Sequence, residues 1–358
     1  MNPHGAFARL ASLPGYFTSA LAIILISTSL AEAQATCAKV DVVKIQEYAG
    51  VIQNLVPWVA SEQGIFKKHC LDAKMVQIPS APGAFAATVQ GGVDFVSTSP
   101  DPAFIIASKG LDIRMVAFMN DTVHYVLVGG KHVPLPHKSE GFPAVMKDLV
   151  GKKIGVVALG STVDNLARAN FLAAGLDPNQ ATWIAYGPTA TAIAGLQNGS
   201  MDAVELYADG MDIAVAAAGG TIVGDLRDRN VKTIPQIGAL RGASLMWGAN
   251  AAFVEKNPDV VRRFFLANNE AVEWIREPKN FEAIVKLVGE KAPSPAGVAD
   301  PNGLLRERVK RYVPQVNSKV SMRALKAWSD WDVSLKRIPG PANLDRIIWE
   351  GARTMVGP

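Results

Sequence analysis

The segment KIGVVALGSTVDNLARANFLAA, residues 153–174, contains the pattern that decides the fold. Its first five residues, Lys153 to Val157, form a short apolar run that predicts a β-strand. From Val163 to Ala174, apolar or small residues recur near the 3.6-residue period of a helix, with Asn170 as the one polar member. The turn Leu159-Gly160-Ser161-Thr162 separates the two. The segment therefore predicts a strand, a loop and a helix in succession, which is half of a βαβ unit.

The same alternation of strand and helix extends in both directions from this segment. Toward the N-terminus, strands are predicted at 42–47, 74–78, 94–97 and 113–118, and helices at 54–63, 83–90 and 100–108. Toward the C-terminus, strands at 182–185 and 203–206 flank a helix at 189–197. Such alternation predicts an α/β fold with parallel sheet.

A break in this alternation predicts two lobes. Residues 130–143 are rich in glycine, proline and polar residues and are predicted to form a loop, after which a second βα series begins. The last third is helical, with predicted helices at 257–275, 281–288 and 322–335. Asn257 and Pro258 are suited to the start of the first of these helices. A chain of 358 residues is long enough for two such lobes.

The N-terminus has the pattern of an export signal over residues 1–33. Arg9 precedes the apolar run Leu21 to Leu30, and Ala31-Glu32-Ala33 is a small-x-small cleavage site. An uncleaved anchor is the alternative, although the run is short for a membrane span. We therefore expect an exported protein in the periplasm.

The charge balance excludes one class of partner. Lysine and arginine total 36 against 32 acidic residues, and no dense basic stripe accompanies this excess. We therefore expect no nucleic acid as partner. The small positive charge says little about the ligand.

The loops that follow the predicted strands hold the candidate binding residues. In open α/β sheets, ligands bind beyond the carboxyl ends of the strands, and three such loops from each lobe would face one cleft. The candidate ligand-binding residues are Tyr48, Gln53, Asn54, Ser80, Gly83, Thr98, Ser99, Gly160, Ser161, Thr162, Tyr186 and Glu205, with Trp247 added near the return between lobes.

The turn Gly160-Ser161-Thr162 is the favoured contact. Ser161 can cap the following helix, and Asp164 stands at the spacing of a capping box. The exposed N–H groups and the helix dipole could hold a carboxylate, sulfonate or phosphate; an ordinary helix start is the alternative. Ser99 is predicted to cap the next helix start, before proline.

The other candidates carry open alternatives. Tyr48 and Tyr186 fit either a pocket wall or the core. Glu205 fits either a buried place near the cleft or a pair with an arginine. Asp101 fits a contact with a cationic ligand group, but a first-turn acid favoured by the helix dipole is preferred. Trp247 fits the cleft or, with more weight, hydrophobic packing.

Motifs for catalysis and metal binding are absent from the sequence. There is no H-E-x-x-H, C-x-x-C, G-x-S-x-G or complete P-loop. This absence favours binding over catalysis, so we expect no enzyme activity, no metal and no cofactor. Cys37 and Cys70 could form a disulfide in an oxidising compartment or remain two thiols.

Several consecutive segments resemble one family. WVASEQGIFKKHCLDAKMVQIPS (58–80), GGVDFVSTSPDPAFIIASKG (91–110), DLVGKKIGVVALGSTVDNLARANFLAAGLDP (148–178) and LQNGSMDAVE (196–205) resemble, in order, substrate-binding proteins of ABC importers for aliphatic sulfonates, taurine, nitrate and pyrimidine precursors, the NMT1/SsuA-like family. The family typically shows G-x-F-x-x-x-G-L. Here Gly64-Ile65-Phe66 is present, but Cys70 precedes Leu71 where glycine is usual, which favours a Cys37–Cys70 bridge.

The resemblance implies a type II periplasmic binding fold, with two α/β lobes joined by two crossings and a cleft that closes on the ligand. We place lobe 1 at 41–125 plus 240–358, lobe 2 at 126–239, and the crossings near 120–129 and 236–250. The implied partners are a small-molecule ligand and a membrane permease with its ATPase, and we expect a monomer.

A related branch is enzymatic and makes a thiamine pyrimidine precursor. Its members carry a C-C-C-F-C motif for iron, whereas this chain has two cysteines far apart. That enzyme remains the alternative function. The ligand class also stays open among sulfonates, taurine-like molecules, aromatic acids and pyrimidines.

Overall fold

The fold consists of β–α units distributed over separate sheets. The computed structural model describes residues 37–227, 235–296 and 298–358, and the expected export signal at 1–33 lies outside the described residues. The strands are β1 (Asp41–Glu47), β2 (Leu71–Gln77), β3 (Val96–Thr98), β4 (Ile113–Asn120), β5 (Tyr125–Gly129), β6 (Lys153–Val156), β7 (Thr182–Ala185), β8 (Ala203–Tyr207), β9 (Thr221–Asp225), β10 (Leu245–Asn250), β11 (Val320–Ser321) and β12 (Val356–Gly357).

Helices connect and cover these strands. They are α1 (Leu55–Glu62), α2 (Ile65–Lys68), α3 (Ala81–Val89), α4 (Pro100–Ser108), α5 (Thr162–Ala173), α6 (Thr189–Asn198), α7 (Ala208–Ala218), α8 (Pro235–Leu240), α9 (Ala251–Lys256), α10 (Pro258–Arg276), α11 (Phe281–Lys291), α12 (Pro301–Tyr312), α13 (Met322–Ser334) and α14 (Leu344–Ile347). Among the residues described, no helix has both the length and the apolar character needed to cross a membrane.

The first group of strands comes from both ends of the chain. β1 and β2 pair in parallel, with Asp41 opposite Leu71 and Glu47 opposite Gln77. A bridge between Ile45 and Phe95 joins β1 to the segment that leads into β3. β10 then pairs antiparallel with both β3 and β4. The late strand β10 is therefore inserted between two early strands.

The second sheet has five strands in the order β7-β6-β8-β5-β9. β6 pairs in parallel with β7 and β8, whereas β5 pairs antiparallel with β8 and β9. The prediction of parallel sheet is therefore correct for the βα units alone. In this sheet β5 runs opposite to the other four strands because it enters after the first crossing, whereas β9 follows β8 through α7 and keeps its direction. β10 runs antiparallel to β3 and β4 because it follows the return of the chain from this sheet.

The chain changes sheets twice. The first crossing lies between Asn120 and Tyr125, and the second lies between Asp225 and Leu245, with residues 228–234 outside the described part. Residues 37–358 cluster as one compact unit, so we retain the two lobes, with the boundaries predicted from the sequence, as a proposal. Lobe 1 and lobe 2 denote these ranges below.

The long helix α10 packs against the lobe 1 strands. Phe264 stacks on Phe95 with ring centroids 3.6 Å apart and meets Trp247 edge-on at 5.5 Å. Asn257 does not cap this helix as predicted, because its amide instead donates to the Phe253 carbonyl over 2.9 Å. This packing fixes the strands whose ends carry the lobe 1 loops.

Candidate functional site

A cavity of about 220 Å³ lies among loops that follow the strands of both lobes. We call it the outer chamber. Its lining residues are Tyr48, Ala49, Val51, Gln77, Ile78 and Pro79 from lobe 1, and Val157, Gly187, Pro188, Thr189 and Tyr207 from lobe 2. The two lobes therefore supply nearly equal parts of its wall.

A narrower space of about 10 Å³, the inner chamber, adjoins the outer chamber and shares four of its residues. Its lining residues are Tyr48, Pro79, Ser80, Ala81, Ser99, Pro102, Tyr125, Val157, Ser161, Thr162, Tyr207 and Leu245. Hydroxyl-bearing residues make up more than half of this set. Grooves of about 400 and 440 Å³ also occur in lobe 1, but lobe 1 alone lines them.

Helix starts surround the two chambers. The N-cap residues of α3, α4, α5, α6 and α7 all line one chamber or both, and they are Ser80, Ser99, Ser161, Pro188 and Tyr207. Unpaired N–H groups and the dipole give each helix start a partial positive charge. None of the lining residues carries a formal charge. The electrostatics therefore favour a ligand with a partly or singly negative end.

Most hydroxyl protons in the inner chamber already have acceptors. Tyr48 and Ser161 donate to backbone carbonyl oxygens over 2.8 and 2.7 Å. Thr162 donates to Asp101 Oδ1 over 2.7 Å. Ser80 accepts from a backbone N–H over 3.3 Å, and no acceptor for its own proton occurs in the described part of the chain. The chamber thus presents mainly hydroxyl oxygens together with helix N–H groups.

Three tyrosines form an aromatic wall between the lobes. Tyr207 lies 5.8 Å from Tyr48 and 5.5 Å from Tyr125, measured between ring centroids. Burial raises the pKa of Tyr48 to about 12 and raises the pKa values of Tyr125 and Tyr207 above their ordinary value. All three rings therefore stay neutral at physiological pH and can orient a polar organic molecule.

Five of the predicted binding residues line the chambers, namely Tyr48, Ser80, Ser99, Ser161 and Thr162. Ser161 caps α5 as predicted by accepting from the Asp164 N–H over 3.3 Å. Ser99 makes no side-chain cap on α4. Its hydroxyl pairs with the Tyr125 hydroxyl over 2.9 Å, because β5 brings that tyrosine to the start of the helix.

Four other predicted residues make hydrogen bonds within these loops. The side-chain amide of Asn54 donates to the Tyr48 carbonyl and accepts from its N–H. The N–H of Gly83 donates to Ser80, and the hydroxyl of Thr98 donates to the Ser99 carbonyl over 2.9 Å. Gly160 has a φ of 78°, the left-handed conformation that favours glycine, and its N–H donates to Asp164.

The remaining predicted residues are buried and are not among the lining residues. Trp247 donates its indole N–H to Asn268 over 2.9 Å within the lobe 1 core. Tyr186 donates to the Glu205 carbonyl over 3.0 Å. Among the residues that the structure describes, the carboxyl of Glu205 has no hydrogen-bond partner, arginine included, and neither has the amide of Gln53. Burial, reinforced by the charge of Asp225, raises the pKa of Glu205 well above its ordinary value.

Tyr125 and Tyr207 are the main residues that sequence reasoning missed. Tyr207 stands at the end of β8, in a loop already expected to face the cleft, so its position was a usable signal. Tyr125 begins β5 at the first crossing, and its role follows only from the tertiary structure. Asp101 was expected to act on its own helix, yet it accepts hydrogen bonds from lobe 2.

The two cysteines form a disulfide, Cys37–Cys70. Cys70 has a φ of 55°, a left-handed conformation that explains why glycine suits this position. Within residues 37–227, 235–296 and 298–358, no group of three or more histidine, cysteine, aspartate or glutamate side chains is arranged to hold a metal ion.

Comparison with known proteins gives two kinds of match. A family model described as NMT1/THI5 like matches residues 53–280. A Bacillus subtilis (strain 168) protein named "Putative aliphatic sulfonates-binding protein" is 26% identical over 233 residues, which is 64% of this chain and 64% of that protein. The match thus spans slightly less than two thirds of the relative.

Solved structures match over most of the chain. A protein from Bordetella bronchiseptica RB50 gives a TM-score of 0.72 at 21% identity, covering 89% of this chain and 97% of that one. The alkanesulfonate-binding protein SsuA from Xanthomonas axonopodis pv. citri, bound to MOPS, gives 0.64 at 15% identity, with coverages of 87% and 99%. The nitrate-binding protein NrtA from Synechocystis PCC 6803 gives 0.63 at 14% identity, with coverages of 88% and 88%. These matches establish a periplasmic binding protein fold.

Proposed function

Because this chain belongs to the NMT1/THI5-like family, we propose that it is the extracytoplasmic solute-binding component of an ABC importer. It captures one small polar organic molecule between its lobes and performs no chemistry on it. The related proteins named above are binding proteins for aliphatic sulfonates, alkanesulfonates and nitrate. No observation favours the enzymatic alternative.

The observation that carries this proposal is the outer chamber, whose wall comes from loops of both lobes. A ligand held there contacts both lobes at once, so it stabilises the closed arrangement by its differential affinity for the two states. Cavities that serve one lobe alone could not couple binding to closure. The location of the chamber therefore supports capture by lobe closure.

The chamber's size and chemistry narrow the ligand class. A volume of about 220 Å³ lies below the range of roughly 300–1,000 Å³ typical of drug-sized sites. Tyrosine rings, hydroxyl oxygens and helix starts suit a neutral or singly negative organic molecule. Sulfonates, taurine-like molecules, aromatic acids and pyrimidines all meet that description. We propose that the ligand occupies the outer chamber with its polar end at the mouth of the inner one, whose volume of about 10 Å³ has room for about one water molecule.

The contacts we propose are Tyr48, Ser80, Ser99, Ser161 and Thr162 from the predicted set, with Tyr125, Tyr207 and Thr189 added. Gln53, Glu205 and Trp247 are not proposed as direct contacts because they lie behind the wall. The positive helix starts would compensate for the absence of a lining arginine.

The proposed route begins with export by residues 1–33 to the periplasm. There the protein acts as a monomer and, once closed, docks on an inner-membrane permease whose ATPase supplies the energy. The apolar run and small-residue cleavage pattern at the N-terminus support this route. The protein itself then needs no cofactor.

A thermal-shift screen of the exported protein tests the function. Candidate ligands are alkanesulfonates, taurine, nitrate, aromatic acids and pyrimidines, each followed by native mass spectrometry for stoichiometry. A true ligand at 100 times its Kd should add about 2.7 kcal/mol to stability and bind one per chain. Turnover of the bound compound by the purified protein would contradict a pure binding role, and failure of every class would contradict the proposed ligand chemistry.

Two site variants sharpen the same test. Ser161→Ala and Thr162→Ala should each weaken binding about tenfold, since each removes one hydroxyl oxygen from the inner chamber. Thr98→Val is a matched control, because its hydroxyl is buried behind the wall and serves a carbonyl. Unchanged affinity in both site variants would remove the inner chamber from the proposed site.

A further inference from the structure

Two buried carboxylates connect the lobes beside the chambers. Asp101 belongs to lobe 1 and Asp209 to lobe 2, and each stands in the first turn of a helix, α4 and α7 respectively. Neither lines a chamber. We propose that these two residues are latches whose hydrogen bonds across the cleft set the fraction of closed protein, and so the apparent affinity, without touching the ligand. This inference rests on the proposed capture by lobe closure.

Asp101 is held by two donors from the opposite lobe. Thr162 Oγ1 donates to Oδ1 over 2.7 Å, and Asn165 Nδ2 donates to Oδ2 over 2.9 Å. Both donors lie on α5. On its own lobe, Asp101 Oδ2 lies 3.8 Å from Nη1 of Arg337. The guanidinium of Arg337 in turn lies 4.1 Å above the ring of Trp331. Asp101 therefore reaches lobe 2 from a position fixed within lobe 1.

Asp209 makes the reciprocal connection. Its Oδ2 accepts from the Ile52 N–H over 3.3 Å and from Arg308 Nη2 over 3.2 Å, and both donors belong to lobe 1. Arg308 is fully buried, and its Nη1 donates to the Ala292 carbonyl over 3.0 Å. Each lobe thus contributes one carboxylate from the first turn of a helix, and that carboxylate accepts hydrogen bonds from donors of the other lobe.

On this proposal the contacts depend on closure, because the hydrogen-bond donors and the carboxylates that accept from them belong to different lobes. A buried carboxylate requires hydrogen bonds in place of water, and a missing donor leaves it uncompensated. The closed arrangement supplies those donors before any ligand arrives. Hydrogen bonds that form only between closed lobes raise the fraction of closed protein. The apparent affinity for the ligand rises with that fraction, because the closed form is the one that is competent to bind.

Asp101 also positions a site residue. By accepting the Thr162 proton it turns the hydroxyl oxygen's lone pairs toward the inner chamber. Thr162 thus belongs both to the latch and to the chamber wall, which couples closure to the shape of the site. Asp209 has no such partner among the lining residues, so it acts on closure alone.

The test measures closure without any ligand. Spin labels are attached through Val89→Cys on α3 and Leu172→Cys on α5, whose side chains are 65% and 49% exposed on opposite lobes. Both native cysteines are in the disulfide, so reagents react only at the introduced thiols. Distance distributions are then recorded for the ligand-free protein, for Asp101→Asn, for Asp209→Asn and for the double variant.

Each single change should raise the ratio of open to closed protein about tenfold. In Asp101→Asn one of the two donors, Thr162 or Asn165, faces an amide nitrogen that cannot accept. In Asp209→Asn the amide oxygen still accepts, but the charge that strengthens the bond from Arg308 is lost. Asp148→Asn is the matched control, since Asp148 is a buried carboxylate bonded to His137 within lobe 2. Its distances should match those of the parent protein. Should the double variant fold poorly, Asn165→Ala removes one donor at a half-buried position and should shift the ratio in the same direction.

An unchanged distance distribution in the double variant, or in Asn165→Ala where it serves, would overturn the latch. An equal shift in Asp148→Asn would do the same. Because no ligand is used, failure here differs from failure of the proposed function, which shows as absence of binding across the ligand screen. A shift in the latch variants alone supports the inference.

Discussion

Replacing Asp332 by asparagine should change how the stability of the protein depends on pH. Asp332 is fully buried on α13, and Arg337 Nε lies 3.1 Å from its Oδ1. The same guanidinium also faces Asp101 at 3.8 Å. Burial, reinforced by the Asp101 charge and opposed by Arg337, raises the pKa of Asp332 to about 8. Two carboxyl groups thus share one cation, and the folded pair retains a proton at neutral pH.

The sign and size of the effect follow from proton binding. An unfolded aspartate has a pKa of about 3.9, so between about pH 4 and pH 8 the folded state binds one proton more than the unfolded state. Stability from this group is therefore full below pH 4 and falls as pH rises, by about 1.4 kcal/mol per pH unit. From pH 5 to pH 7 the loss is about 3 kcal/mol. The asparagine of the variant cannot titrate, and it leaves Asp101 paired one to one with Arg337.

Urea denaturation of the parent protein and Asp332→Asn at pH 5, 6 and 7 measures this difference. The stability of the variant relative to the parent should increase by about 3 kcal/mol across that range. Asp345→Asn serves as control because the side chain of Asp345 is 88% exposed. The difference in free energy of unfolding between this variant and the parent should be the same at pH 5, 6 and 7. A difference between Asp332→Asn and the parent that is constant from pH 5 to pH 7 would refute the shared proton.

Three further outcomes follow from the structure. Ala49→Trp should abolish ligand binding because Ala49 lines the outer chamber. Its melting temperature should stay within about 2 °C of that of the parent protein because Ala49 is exposed. A calorimetric titration that shows normal affinity would contradict the site. Gly155→Ala should lower the free energy of unfolding, measured with urea, by about 1–3 kcal/mol, because the added methyl would lie 2.6 Å from a methionine sulfur. Gly224→Ala is the control and should lower it much less, because an added methyl there meets nothing within 4 Å. Equal losses in the two variants would be inconsistent with this packing. Cys37→Ser should lower the free energy of unfolding by about 4 kcal/mol by opening the loop of 33 residues closed with Cys70, and reductant should then have no further effect; continued sensitivity to reductant would count against the bridge as its cause.

Local pattern accounts well for the βα units. The predicted helix at 100–108 and the predicted strand at 182–185 match α4 and β7 to the residue. Both have clear local signals, a serine followed by proline in the first case and an apolar run between turns in the second. The post-strand loops were predicted for the same reason, since parallel strands place their carboxyl ends at one edge.

Tertiary contacts account for what was missed. The strand β5 pairs with β8 and with β9, and no helix separates it from β4, so its short apolar segment lacks the strand–helix alternation that marks the other units. Ser99 shows the same limit within the site. Its sequence neighbours predict a helix cap, but a hydroxyl from β5, 26 residues away, takes its place as partner. Which hydroxyl faces a ligand is therefore decided by distant residues.

The disulfide between Cys37 and Cys70 depends on the redox state of the compartment in which the chain resides. A thiol pair becomes a disulfide in an oxidising compartment and is kept reduced in the cytosol. Cys70 also stands where the backbone is left-handed, so the residue was accepted at a position that disfavours a side chain. The intact mass of protein recovered from cells should thus report, through two hydrogen atoms, whether the chain resided in an oxidising or a reducing compartment.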